Sequence, residues 1–222
     1  MVKAVVFDMD GVIFDSERCS RLIWEELAEQ QGLGDIGPMF RACLGITWAE
    51  NVKTIESMQK PGFSGAAFLK EGAVLFEERY GGGRLPMKPG VMEILMFLKD
   101  QGIRRALATS TGGRKVIQRL RDAGLLPLFD QIITGDMVHN SKPDPEIYLM
   151  ACDALEVLPG EAFGIEDSFN GVRSSSAAGL RTLMVPDLVE PTQTIRELCE
   201  AVLPSLDAVR AYIREEHQRG RS

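Results

Sequence analysis

The chain has 222 residues, 45% of them hydrophobic, and a formal net charge of −7. This length suits one domain with an insertion or two small domains, and the apolar share suffices for a core. The acidic balance, the lack of a long basic run and the lack of any stretch near the ~20 apolar residues of a membrane helix argue against nucleic acid and membrane as partners.

Val2 to Phe7 is a short, β-branched, almost uniformly apolar run, which predicts a strand buried on both faces. The chain then turns acidic at Asp8 and Asp10. Gly11 suits a sharp turn, and Asp15 and Ser16 suit a helix N-cap. As plain turn residues, two carboxylates at a buried strand end would repel each other and lose solvation; a bound cation gives them a reason to be there. A helix is predicted from Ser16 to Gln31, with Leu22, Ile23 and Leu27 as its apolar stripe and Gly32 past its end. Further helices are predicted from Pro38 to Leu44, from the capping-box pattern at Thr47-Trp48-Ala49-Glu50 to about Gln59, and from Ser64 to Tyr80. Phe68, Leu69, Leu75 and Phe76 form the expected inner face of the last one. Gly81-Gly82-Gly83 reads as a flexible linker.

After the linker the pattern changes. Helices are expected from Pro89-Gly90 to Gln101, Arg114 to Ala123, Pro145 to Ala154, Phe169 to Ala178, Thr192 to Ala201 and Ser205 to Arg219. Between them fall short strands, Arg105 to Thr109, Gln131 to Thr134, Ala162 to Ile165 and Thr182 to Val185. Strands alternating with helices imply βαβ units and a doubly wound parallel α/β sheet, with the first helical block as an insertion. Cys19, Cys43, Cys152 and Cys199 are widely spaced and read as reduced thiols; with no signal peptide visible, a cytoplasmic location is expected. Of two histidines, His217 lies in a charged tail, Arg214 to Arg221, read as a solvated helix end. His139 is then the sole candidate imidazole, which argues against a Ser-His-Asp triad or a histidine-built metal site.

Ligands of open α/β sheets bind beyond the carboxyl ends of the strands. On that edge the reading places Asp8 and Asp10, Thr109 and Ser110, and Glu166 and Asp167, with Lys142 in the Ser141-Lys-Pro-Asp-Pro145 loop. Singly each has an ordinary structural reading, as a helix cap, a strand-end hydroxyl or a solvated lysine. Together they make a coherent set. Acidic groups can hold Mg²⁺, a hard cation that prefers oxygen. A hydroxyl, backbone N–H groups and a lysine can bind phosphate oxygens. One aspartate is left to attack phosphorus and another to protonate the leaving oxygen. No P-loop and no glycine fingerprint after the first strand are present.

These residues resemble the haloacid dehalogenase superfamily of phosphatases, in its β-phosphoglucomutase-like subfamily. The four motifs are Asp8-Met-Asp-Gly-Val-Ile-Phe-Asp15, Thr109 in Ala-Thr-Ser-Thr, Lys142 in Ser-Lys-Pro-Asp-Pro, and Glu166-Asp167 in Gly-Ile-Glu-Asp-Ser-Phe-Asn-Gly. The resemblance implies a Rossmann-like core, residues 1–15 and 84–222, and an inserted helical cap, residues 16–83, moving on hinges near Asp15 to Glu17 and Gly81 to Pro86. It implies Asp8 as nucleophile and Mg²⁺ ligand, and Asp10 as general acid and base with its carbonyl on the metal. Asp167 would be a third ligand and Glu166 an outer-sphere partner, while Thr109, the Ser110 N–H and Lys142 would hold the phosphoryl group. The expected substrate is a small phosphorylated metabolite, handled by a monomer.

The mutases of this subfamily hold a distal phosphate with a cap arginine and a Lys-Asn pair. Here Trp48 and Gly112-Gly113 stand at those places, leaving Thr111 as a donor, so hydrolysis is expected over mutase activity. In the apolar loop Leu44-Gly-Ile-Thr-Trp48, Thr47 and Trp48 are candidate substrate contacts. Trp48 is either a core residue or a stacking surface for the leaving group. A signalling receiver domain fits less well, because its phosphorylated aspartate ends the third strand. An idle binding module fits less well because every reactive group is present.

Overall fold

The computed structural model describes residues 2–44 and 46–220. Its six strands are β1 (Ala4–Phe7), β2 (Arg104–Thr109), β3 (Gln131–Thr134), β4 (Ala162–Glu166), β5 (Arg181–Met184) and β6 (Ala201–Val202). They form one parallel sheet in the order β3-β2-β1-β4-β5-β6. The chain builds outward from β1 to one edge and returns to β4 on the other side. That reversal beside β1 opens a crevice at the carboxyl ends of β1 and β4. Every residue of β1 is buried, as an apolar central strand with covered faces requires.

The chain divides into two compact units, Ser16–Pro86 and the remainder. The second crossing falls after Pro86, three residues beyond the glycine run. The Ser16–Pro86 unit holds α1 (Ser16–Gln31), α2 (Gly37–Ala42), α3 (Trp48–Met58) and α4 (Gly65–Tyr80). The Trp24 ring meets Phe40 and Phe68 edge-on at 5.1 and 5.2 Å, and Leu27 and Ile55 are fully buried. On α4, Phe68 carries the inner face with Gly72, while Leu69, Leu75 and Phe76 are half-buried. Leu22 of the expected α1 stripe is exposed instead; Cys19, Ile23, Trp24 and Leu27 carry the buried face. Thr47 caps α3 through the predicted capping box with Glu50. Trp48 is 61% exposed at the start of that helix, which removes the core reading. Gly45 of the apolar loop lies outside the described residues.

The sheet unit adds α5 (Val91–Asp100), α6 (Gly113–Asp122), α7 (Glu146–Ala154), α8 (Phe169–Ala177), α9 (Gln193–Leu198) and α10 (Leu206–Arg219). Ala4, Val6, Ala106 and Ala108 pack with Ile147, Tyr148 and Ala151 of α7, the period-2 pattern of one sheet face. On α10, Tyr212 meets Phe163 of β4 edge-on at 6.0 Å. Two expectations fail here. The predicted helix from Thr192 to Ala201 stops at Leu198, because the following backbone pairs with β5. Glu200 N–H donates to Thr182 O and Leu203 N–H to Met184 O, each at 2.8 Å, creating β6. His217, expected in a solvated tail, is 4% exposed with Nδ1 3.2 Å from Val2 O. The tail's last basic residue, Arg221, lies outside the described residues.

Candidate active site

The site grows from the ends of β1 and β4. Asp8 continues the ladder, its N–H donating to Ile165 O at 3.0 Å. The chain then turns at Gly11, whose φ is +83°. A Cβ there would sit 2.0 Å from Asp167 Oδ2, so only glycine lets the turn and Asp167 coexist. Oxygens of Asp8, Glu166 and Asp167 lie within 4.8 Å of one another, and all three residues are buried.

Lys142 enters from the loop before α7. Its ammonium donates to Asp8 Oδ1 (2.6 Å), Glu166 Oε1 (2.6 Å) and Ala108 O (2.9 Å), using all three N–H groups. Burial would lower its pKa, but the Asp8 and Glu166 carboxylates prevail and hold it above its ordinary value. Asp8 is pushed up to about 7 by burial, with Glu166 and Asp10 adding to the rise and Lys142 opposing it. Glu166 is further held by the Tyr148 hydroxyl (2.6 Å) and the Ser168 hydroxyl (3.2 Å). Its lone pairs are thus largely committed within the protein. Burial, then the Glu166 charge, raises Tyr148 well above the usual phenol range.

Asp10 stands in a second group. Thr111 Oγ1 donates to its Oδ2 at 2.8 Å, and Arg119 Nη1 approaches its Oδ1 at 3.2 Å. Thr109 is buried at the end of β2, its hydroxyl accepting from Thr111 N–H at 3.1 Å. Ser110 follows it and is exposed. Thr47 and Trp48 belong to the Ser16–Pro86 unit, and the Thr47 hydroxyl is engaged with Glu50 at 2.7 Å.

The donor set suits a divalent cation. Asp8, Glu166 and Asp167 offer only hard oxygens, and Lys142, paired with Asp8 and Glu166, can offset one of the three negative charges they carry when all are ionised.

Residues 5–185 match the family of haloacid dehalogenase-like hydrolases. The chain belongs to that family. It is 36% identical over 184 residues to the phosphorylated carbohydrates phosphatase of Thermotoga maritima, covering 82% of this chain and 84% of that protein. It is 30% identical over 190 residues to the β-phosphoglucomutase of Bacillus subtilis, covering 81% of each. Among solved structures, CbbY from Rhodobacter sphaeroides in complex with phosphate is similar with a TM-score of 0.74 at 29% identity, over 93% of this chain and 95% of that one.

In this haloacid dehalogenase-like chain, Asp8, Lys142, Glu166 and Asp167 gather in one cluster, with Asp10 and Thr111 beside it. Sequence reasoning missed Tyr148, Ser168 and Arg119. Tyr148 sits on an apolar helix face and reads as core. Arg119 sits among Arg114, Arg121 and Lys115 and reads as solvated. Neither carries a local signal of its role; only the pairing of strands brings their partners close.

Proposed function

We propose that the protein is a Mg²⁺-dependent phosphatase that hydrolyses a small phosphorylated metabolite, such as a sugar phosphate, through a phosphoryl group carried on Asp8. The observation that carries this reading is Lys142 held between Asp8 and Glu166 with Asp167 alongside. That arrangement presents one carboxylate oxygen for attack and leaves a charge deficit that a divalent cation balances. Asp8, Asp167 and the Asp10 carbonyl would hold Mg²⁺, with Glu166 behind them as an outer-sphere partner. When bound, the ion would neutralise phosphoryl oxygens and keep Asp8 ionised.

Asp8 attacks phosphorus while Asp10 gives its proton to the departing oxygen. Asp10 then takes a proton from water, which attacks the phosphoryl group on Asp8 and frees inorganic phosphate. Thr109, the Ser110 N–H and Lys142 hold the phosphoryl oxygens; Lys142 must exchange one of its present acceptors to do so. Asp10 likewise leaves Thr111 and Arg119 to reach the leaving oxygen. The Ser16–Pro86 unit serves as a cap that selects substrate, with Trp48 as its exposed stacking surface. The protein works as a monomer in the cytoplasm, a compartment in keeping with four free cysteines.

A sugar-phosphate mutase is the second reading, favoured by the relationship to the B. subtilis β-phosphoglucomutase. Gly112 and Gly113 at the end of the second motif weigh against it, since neither can grip a distal phosphate through a side chain. A phosphate-release screen over a metabolite panel, with and without Mg²⁺, tests the proposal. Phosphate from a hexose 1-phosphate supports hydrolysis, and isomerisation without release supports the mutase. Asp167→Ala should bind Mg²⁺ far more weakly, so that its turnover needs much higher Mg²⁺; full activity at limiting Mg²⁺ would refute its assignment.

A further inference from the structure

Beyond the residues already assigned, one buried carboxylate has an unused oxygen. Asp187 follows β5, where Val185 N–H donates to Glu166 O at 2.8 Å and lays this segment along the end of β4. Lys88 is anchored from the other side, its N–H donating to Ile13 O at 2.9 Å. The Lys88 ammonium lies 2.7 Å from Asp187 Oδ1 and 3.4 Å from Asp15 Oδ1. The Asp187 side chain is 4% exposed, and its Oδ2 has no hydrogen-bond partner among the described residues. A carboxylate oxygen of Asp187 comes within 4.8 Å of one on Asp167.

A plain structural ion pair does not account for this arrangement. Lys88 satisfies one oxygen only, and a buried anionic oxygen without a donor is costly. Mg²⁺ gives up its hydration shell reluctantly and keeps several waters, whose polarised O–H groups are strong donors. We propose that Asp187 is a positioning residue for the cation site: its Oδ2 accepts from a metal-bound water, and Lys88 fixes the orientation of the carboxylate. This rests on the reading that Asp8 and Asp167 hold the cation. Outer-shell acceptors of this kind typically change metal affinity by about 10- to 100-fold.

Metal-free wild-type protein, Asp187→Asn and Asp187→Ala would each be titrated with MgCl₂ by calorimetry, and the melting temperature of each metal-free protein recorded. Asparagine keeps an acceptor for Lys88 but puts an amide where the second oxygen stood. The expected result is a Kd for Mg²⁺ raised about tenfold or more in both variants, with metal-free melting temperatures equal to or above wild type. Wild-type Kd in the variants, with lowered melting temperatures, would overturn the proposal and leave Asp187 a structural ion-pair partner. Absence of Mg²⁺ binding by the wild type would overturn it together with the cation reading, so the two failures are distinguishable.

Discussion

Asp8 and Asp10 stand two positions apart yet keep different electrostatic company. Asp8 is buried against Lys142, and Asp10 faces Thr111 and Arg119. Their proposed roles separate with a nitrophenyl phosphate, which leaves well without an acid. Asp10→Asn should release one burst of nitrophenol and then stall with phosphate on Asp8, because the second step still needs a base worth ~10²–10⁴-fold. Asp8→Asn should give neither burst nor turnover. Intact-mass measurement after rapid quenching should find the phosphoryl adduct on the Asp10 variant alone. Wild-type turnover by Asp10→Asn would reverse the assignment. A second expectation concerns pH. Burial raises Asp8 from 3.8 to about 7, so in the metal-free protein it holds a proton below that pH. A cation binding there must displace the proton. The Kd for Mg²⁺ should therefore weaken by about tenfold per pH unit on the acid side and level off on the alkaline side. A flat calorimetric profile would remove Asp8 from the ligand set.

At the scale of elements, α8 gives the sharpest forecast. Gly→Ala inside a helix usually stabilises by up to ~1 kcal/mol. At Gly171 the sign should reverse, because a Cβ there would meet the Glu166 carboxylate at 1.9 Å. Crowding of this kind costs roughly 1–3 kcal/mol, and denaturant melts of Gly171→Ala should show the loss. On α7, Tyr148→Phe would leave buried Glu166 short of one donor, with an expected cost of about 1–3 kcal/mol in the same assay. Unchanged stability would mean the hydroxyl is dispensable. The elements themselves were mostly legible: the capping box at Thr47 and Glu50 forms as its spacing predicts, because it depends on four neighbouring residues. β6 was not legible. Ala201 and Val202 become a strand only because Thr182 and Met184 carry free acceptors on the sheet edge beside them.

For the whole molecule, the forecast concerns the glycine run before the second crossing. Gly82 and Gly83 have φ of 64° and 83°, which proline cannot adopt. Replacing Gly81-Gly82-Gly83 with prolines would force this segment to rearrange and stiffen. If the Ser16–Pro86 unit works as a lid, turnover of a metabolite should fall more than turnover of nitrophenyl phosphate. Equal losses would count against a lid. The linear sequence determined the strand-helix alternation, the helical insertion and the acidic edge, because these rest on period, turn residues and strand ends, all local properties. Tertiary structure decided what surrounds those carboxylates. Lys142, Tyr148 and Ser168 converge on Glu166 from separate elements, Arg119 reaches Asp10 from α6, and Asp187 reaches Asp167 from beyond β5. It also buried His217 against Val2 O, from the opposite end of the chain. Charge and burial at a point in space depend on every segment brought there, and no single segment encodes that sum.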